Sequence, residues 1–162
     1  MGSWSAVAAA APELAHNVQA RFEATGLGLL ATLRKDGSPR LTGIEPLFAE
    51  GELWLGMMPD SLKAADLQRD GRFALHAATT DKDVKEGDAK LNGVAVEVVD
   101  GATKAAFQAG FKEQRGQDIP PGPFHLFRLD VLEMSFLRPV GGEYLEITVW
   151  REGQDVRRIE RR

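Results

Sequence analysis

Two dipeptides, Asp36-Gly37 and Glu50-Gly51, cut the run from residue 26 to residue 79 into pieces of strand length. An Asp-Gly pair between alternating stretches is a strong hairpin signal, because tight turns need backbone angles that glycine reaches at little cost. The first piece, Leu27 to Arg34, alternates cleanly. Leu27, Leu29, Ala31 and Leu33 fall on one face, and Gly28, Leu30, Thr32 and Arg34 on the other. Arg40 to Phe48 reads as a second strand, broken or bulged near Gly43 and Pro46, since proline has no N–H for the ladder. Leu53 to Met58 is the third. Three strands joined by tight turns make an antiparallel meander.

The rest of the chain keeps this character. A helix is predicted from Pro12, with Leu14, Val18 and Phe22 as its apolar stripe and Gly26 as its stop. A short helix follows the third strand, from about Ser61 to Asp70, and Arg72 to Thr79 is a fourth strand. Ala89 to Val99 is a long strand in which Gly93 marks a bulge or a close backbone approach. A third helix runs from about Thr103 to Arg115. Phe124 to Arg138 and Glu143 to Trp150 form a closing hairpin, and the basic tail is an edge strand or hangs free. The expectation is a mainly β (α+β) domain spanning 12–162, a closed or nearly closed antiparallel barrel with helices at its ends and gaps. Residues 1–11 are small and featureless and are expected to be loosely ordered.

The chain has 162 residues, a net charge of −4 and no cysteine. One domain fits that length. An acidic balance argues against nucleic acid as the main partner. Without cysteine there are no disulfides, thiolate metal sites or thiol nucleophiles. No apolar run approaches membrane-spanning length, and the Ala6–Ala11 run lacks a basic leader, so no membrane role and a cytoplasmic location are expected. Nucleophile-elbow, zinc-protease and phosphate-loop motifs are absent, and His16, His76 and His125 are isolated in sequence, so no catalytic side chain and no metal site is expected. An enzyme with these residues would draw its reactivity from a cofactor.

The place for one is the strand-to-helix junction Pro59-Asp60-Ser61-Leu62-Lys63. A first helical turn carries unsatisfied N–H groups and the positive end of the helix dipole. Lys63 there opposes the dipole, and a bound phosphate would resolve the conflict; Asp60 reads as the N-cap. The plain alternative is a solvated surface lysine. Arg40, across the Asp-Gly turn from Arg34, suggests a second cation for the same anion, unless one or both arginines point into solvent.

The segments LLATLRKDGSPRLTGIEPLF, GELWLG and SLKAADLQRDGRFALH, with the later GDAKLNGVAVEV and HLFRLDVLEMSFLRPVGGEYLEITVWREG, resemble the split-barrel family of pyridoxamine phosphate oxidase. The likeness is greatest to its actinobacterial flavin- and deazaflavin-dependent branch, and it covers about residues 13–160. It implies a six-stranded antiparallel split β-barrel with flanking short helices, acting as a homodimer with cofactor sites at the subunit interface. It also implies that FMN or the deazaflavin F420 is held through its phosphate by Thr32, Arg40, Thr42, Met57, Met58, Ser61 and Lys63, with Trp150 as a partner-chain contact. Leu62 stands where the family often has a further basic residue, and Gly71 replaces a usual proline. The function so implied is hydride transfer between bound F420 or FMN and a small organic acceptor. The alternative is a non-catalytic carrier of flavin or haem.

Overall fold

The computed structural model describes residues 2–162. Helix α1 (Trp4–Ala10) runs directly into α2 (Pro12–Thr25). Strands β1 (Gly28–Leu33) and β2 (Pro39–Ile44) then form a hairpin, and β3 (Leu47–Ala49) and β4 (Glu52–Met57) form a second. Helix α3 (Leu62–Arg69) leads to β5 (Arg72–Ala77) and β6 (Asp88–Val98). Helix α4 (Gly101–Arg115) precedes β7 (His125–Val140), β8 (Tyr144–Arg151) and β9 (Arg157–Arg161).

All strand pairs are antiparallel, in the order β2-β1-β5-β6-β7-β4-β3, with β8 on β7 and β9 on β8. β2 and β3 sit at opposite ends of that order yet are joined by only Glu45 and Pro46. The sheet must therefore curl until its edges meet, which is the split barrel. The class is as expected, but among the described residues the sheet has nine strands rather than six. Pro46 divides one predicted strand into β2 and β3, and the arginine-rich tail pairs with β8 as an edge strand.

The turn at Glu50-Gly51 shows why the short β3–β4 hairpin works. Both residues have positive φ, 53° and 73°, the geometry whose twist matches that of the flanking strands. Gly93 answers to both readings of it. The β6–β7 register shifts between Asn92 and Gly93, leaving Leu132 as an extra residue in β7. The Gly93 backbone also lies so close to β7 that an added Cβ would fall 2.0 Å from the Asp130 carbonyl oxygen.

Leu14, Val18 and Phe22 bury the face of α2 against β6 and β7. They join Leu30, Leu53, Leu55, Leu75, Phe127 and Met134 in the main core. A smaller core of Leu47, Trp54, Phe107 and Leu126 holds α4 to the outer side of β3 and β4. The expectation of a loose N-terminus is corrected: Trp4 packs edge-on against Phe48 at 4.9 Å and donates from Nε1 to Gln19 Oε1 at 2.7 Å. One buried indole is enough to tie an alanine-rich turn to the core.

Candidate functional site

Helix α3 packs on β1 and β6 and is tied to β2 through the side chains of Asp66 and Lys63. Its start differs by one residue from expectation. Ser61, not Asp60, is the N-cap, its Oγ accepting from the Ala64 N–H at 3.2 Å. The Leu62 and Lys63 N–H groups are the ones left without a capping side chain.

The centre of this end is a residue the sequence did not single out. Asp66 is 2% exposed and gathers three donors. The Thr32 hydroxyl donates to Oδ2 at 2.8 Å, Arg40 Nε donates to Oδ2 at 2.7 Å, and Arg69 Nη2 donates to Oδ1 at 2.9 Å. Burial works to raise the Asp66 pKa, but the hydrogen bonds from Arg40, Thr32 and Arg69, with the charge of Arg40, outweigh it and hold the carboxyl below its usual range. The Asp66–Arg69 spacing is visible in the sequence, but an i,i+3 acid–base pair is normally a surface feature, so nothing in the spacing signals burial.

The hairpin register corrects the expected Arg34–Arg40 clamp. Arg40 is paired with Thr32, while the Arg34 N–H donates to the Ser38 carbonyl at 2.9 Å. The register thus sets Arg34 beside Ser38 and not beside Arg40. Arg40 therefore has a carboxylate for its Nε, and no second guanidinium opposite.

Thr32, Arg40 and Thr42 alternate onto the inner face beside α3. The Thr42 Oγ1 is buried and has no hydrogen-bond partner among the described residues. Lys63 reaches over the same edge, its Nζ donating to the Gly43 carbonyl at 3.3 Å. Among the described residues it is paired with no carboxylate, and burial alone pushes its pKa down. An orphan buried hydroxyl and an ammonium without a carboxylate on adjoining elements are a donor set that could cradle an anion.

Three expected residues are placed otherwise. The Met57 side chain is buried in the main core, while Met58 is 79% exposed, so the two do not face one ligand together. Trp150 is corrected to a packing residue: it is 5% exposed in the core of its own chain, paired across β7–β8 with Met134. Ser61 is half-buried, and its hydroxyl proton remains available for donation although the oxygen serves as the cap.

A second polar tie holds the other end of α3. Gln68 Nε2 donates to Glu97 Oε2 at 2.8 Å, and His125 Nδ1 lies 2.7 Å from Glu97 Oε1. His125 is isolated in sequence but paired in space, as is His76, whose Nε2 is 3.0 Å from Asp88 Oδ2. Burial works to raise the Glu97 pKa, yet the bonds from His125 and Gln68 prevail and lower it. Asp66 and Glu97 thus both have depressed folded-state values. The stability they add is present above the unfolded carboxylate range, about pH 4, and is lost as pH falls through the depressed values. Thermal melts from about pH 7 down to about pH 2 should show a midpoint that holds to about pH 4 and then drops. In Asp66→Asn that drop should be shallower.

Two hollows of the chain lie elsewhere: one of about 280 Å³ between the α1–α2 junction and β8–β9, and one of about 310 Å³ beside Trp54 and Phe107. Arg40, Thr42, Ser61 and Lys63 line neither. The cradle is an open edge, and a ring-sized ligand there would need further surface to enclose it.

A family model described as pyridoxamine 5′-phosphate oxidase matches residues 14–138. No curated protein matches the sequence. Among solved structures, a pyridoxamine 5′-phosphate oxidase-related, FMN-binding protein from Nostoc punctiforme is 15% identical, over 94% of this chain and 96% of its own, with a TM-score of 0.65. PhzG from Burkholderia lata, in complex with tetrahydrophenazine-1-carboxylic acid, is 16% identical over 92% and 90%, with a TM-score of 0.63. A haem-binding protein from Mycobacterium smegmatis is 20% identical over 89% of this chain and 57% of its own, with a TM-score of 0.58. At these identities the likeness shows the fold.

Proposed function

Because the chain belongs to the pyridoxamine 5′-phosphate oxidase family, we propose that it binds a flavin-type cofactor and moves hydride between it and a small organic acceptor. FMN is the first choice and F420 the second. The observation that carries this is the cradle itself: among the described residues, Lys63 has no carboxylate and the nearby buried Thr42 hydroxyl has no partner.

The residues fit a phosphate. The Arg40 guanidinium, the Lys63 ammonium, the Thr42 and Ser61 hydroxyls and the Leu62 and Lys63 amides would hold it. Arg40, Arg69 and Lys63 set against Asp66 leave two positive charges in excess. That matches the dianionic monoester of FMN better than the monoanionic diester of F420, which is why FMN is placed first. When bound, the ring supplies the hydride chemistry. The chain's part is to hold the anionic tail at a fixed edge of the barrel, and so to orient what is attached to it.

An open cradle calls for a second subunit. The outer face of β1 and β2 carries Leu29 and Leu41, 42% and 66% exposed, with Ala31 opposite Leu41 and Gly43 opposite Leu29. A flat apolar face on the strand that carries Arg40 and Thr42 suits a second copy of this chain, which would wall the site. Light scattering should give twice the mass of one chain, and Leu41→Arg should shift it to one chain and weaken FMN binding together. A wild-type monomer would remove the dimer from the proposal.

A non-catalytic carrier of flavin or haem is the second reading. It is favoured by Leu62, an exposed apolar residue at the helix start where another cation would strengthen the clamp. Steady turnover of any acceptor with reduced cofactor would exclude it. The main proposal is tested by titrating apo-protein with FMN and with F420 and following fluorescence. Dissociation constants in the micromolar range or below are expected for FMN, and failure of both to bind at that level overturns the function.

A further inference from the structure

We infer that Asp66 is a positioning residue for the phosphate clamp: it fixes the Arg40 guanidinium through Nε and leaves its terminal amines for the ligand. The inference rests on the cofactor site proposed above. A carboxylate facing a single arginine commonly takes two of its N–H groups in a fork. Asp66 instead divides its oxygens, taking Arg40 Nε at 2.7 Å and the Thr32 hydroxyl on Oδ2, and Arg69 Nη2 on Oδ1. No terminal amine of Arg40 has a hydrogen-bond partner among the described residues.

The carboxylate is itself held by construction. It projects from α3, is nearly fully buried, and is bonded to β1 through Thr32 and to β2 through Arg40. Arg69 extends the brace by donating to the Leu33 carbonyl at 2.7 Å. The same helix carries Lys63 about one turn before Asp66 on one rigid rod. Asp66 thereby locks the distance between the two cations that would share one phosphate. Neither Arg40 nor Lys63 alone sets that distance.

The inference has a sharp sign. If Asp66 only offset positive charge, removing its charge would make the cradle more positive and tighten an anion. If it positions Arg40, removing its charge loosens the guanidinium and weakens the anion. Riboflavin has the same ring as FMN and no phosphate, so it reports on everything except the clamp.

The test is to titrate FMN and riboflavin into apo wild type and Asp66→Asn, with thermal melts of each. Wild type should prefer FMN by about 100-fold. In Asp66→Asn, FMN should weaken about tenfold or more while riboflavin stays within about twofold. FMN binding unchanged or tightened in the variant overturns the inference and leaves the cofactor site intact. A wild type that binds riboflavin as tightly as FMN overturns the phosphate site, and the inference with it. Should Asp66→Asn not fold, Asp66→Glu keeps the charge but moves the oxygens by one methylene. Positioning requires the same loss of FMN preference there, and an unchanged preference overturns it.

Discussion

Gly93→Ala is expected to destabilise the protein by about 3 kcal/mol or more. The new Cβ would sit 2.0 Å from the Asp130 carbonyl oxygen and 3.0 Å from its carbonyl carbon. Those are backbone atoms of the longest strand pair in the sheet, so no rotamer change relieves the contact. Relief would require β6 and β7 to part where Gly93 faces Val131, next to the unpaired Leu132. The consequence reaches further than the clash. Before the bulge β7 turns Phe127, Leu129 and Val131 to the core, and after it Met134 and Phe136. The extra residue shifts the inward phase by one, so a disturbed bulge threatens both halves of the strand. Gly101→Ala is the control, because an added Cβ there meets nothing within 4 Å and the residue starts a helix. Urea midpoints should fall sharply for the first and stay within about 0.5 kcal/mol of wild type for the second. Equal midpoints would show that the close approach carries no weight.

The same position shows how far the sequence could be read. Gly93 was legible as a bulge or a close approach because a glycine inside an otherwise alternating strand has few other uses. The hairpins were legible from their turn dipeptides, and α2 from its stripe. What escaped depended on partners distant in sequence. Helix α1 looks like a weak alanine run until Trp4 finds Phe48 and Gln19. Arg40 looked close to Arg34 because the two flank the Asp-Gly turn; the register instead sets Arg40 opposite Thr32 and leaves Arg34 bonded to Ser38. Asp66 could not be seen at all, since its burial comes from β1 and β2 closing over α3, and local spacing carries no record of that. At Lys63 the reverse holds. A lysine set against the helix dipole is a local conflict, and local conflicts are what a sequence shows best.

Lys63→Met is expected to separate stability from binding. Lys63 is half-buried, its ammonium donates among the described residues to the Gly43 carbonyl alone, and burial pushes its pKa down. A lysine depressed in the folded state costs stability while it is charged, below its folded pKa, and the cost fades as pH rises toward the unfolded value near 10.4. At neutral pH the apo-protein should therefore be as stable as wild type or slightly more so when methionine keeps the stem and drops the charge. The phosphate would lose a charge-assisted hydrogen bond, worth about 1.5–3 kcal/mol. FMN should then bind roughly 10- to 100-fold more weakly, with a flatter salt dependence, while riboflavin is unaffected. The wild-type melting temperature should climb with added FMN far more than that of the variant, because only ligand affinity for the folded state moves it. A variant that melts lower and binds FMN unchanged would make Lys63 a structural donor to β2, and the anion would have to be held elsewhere.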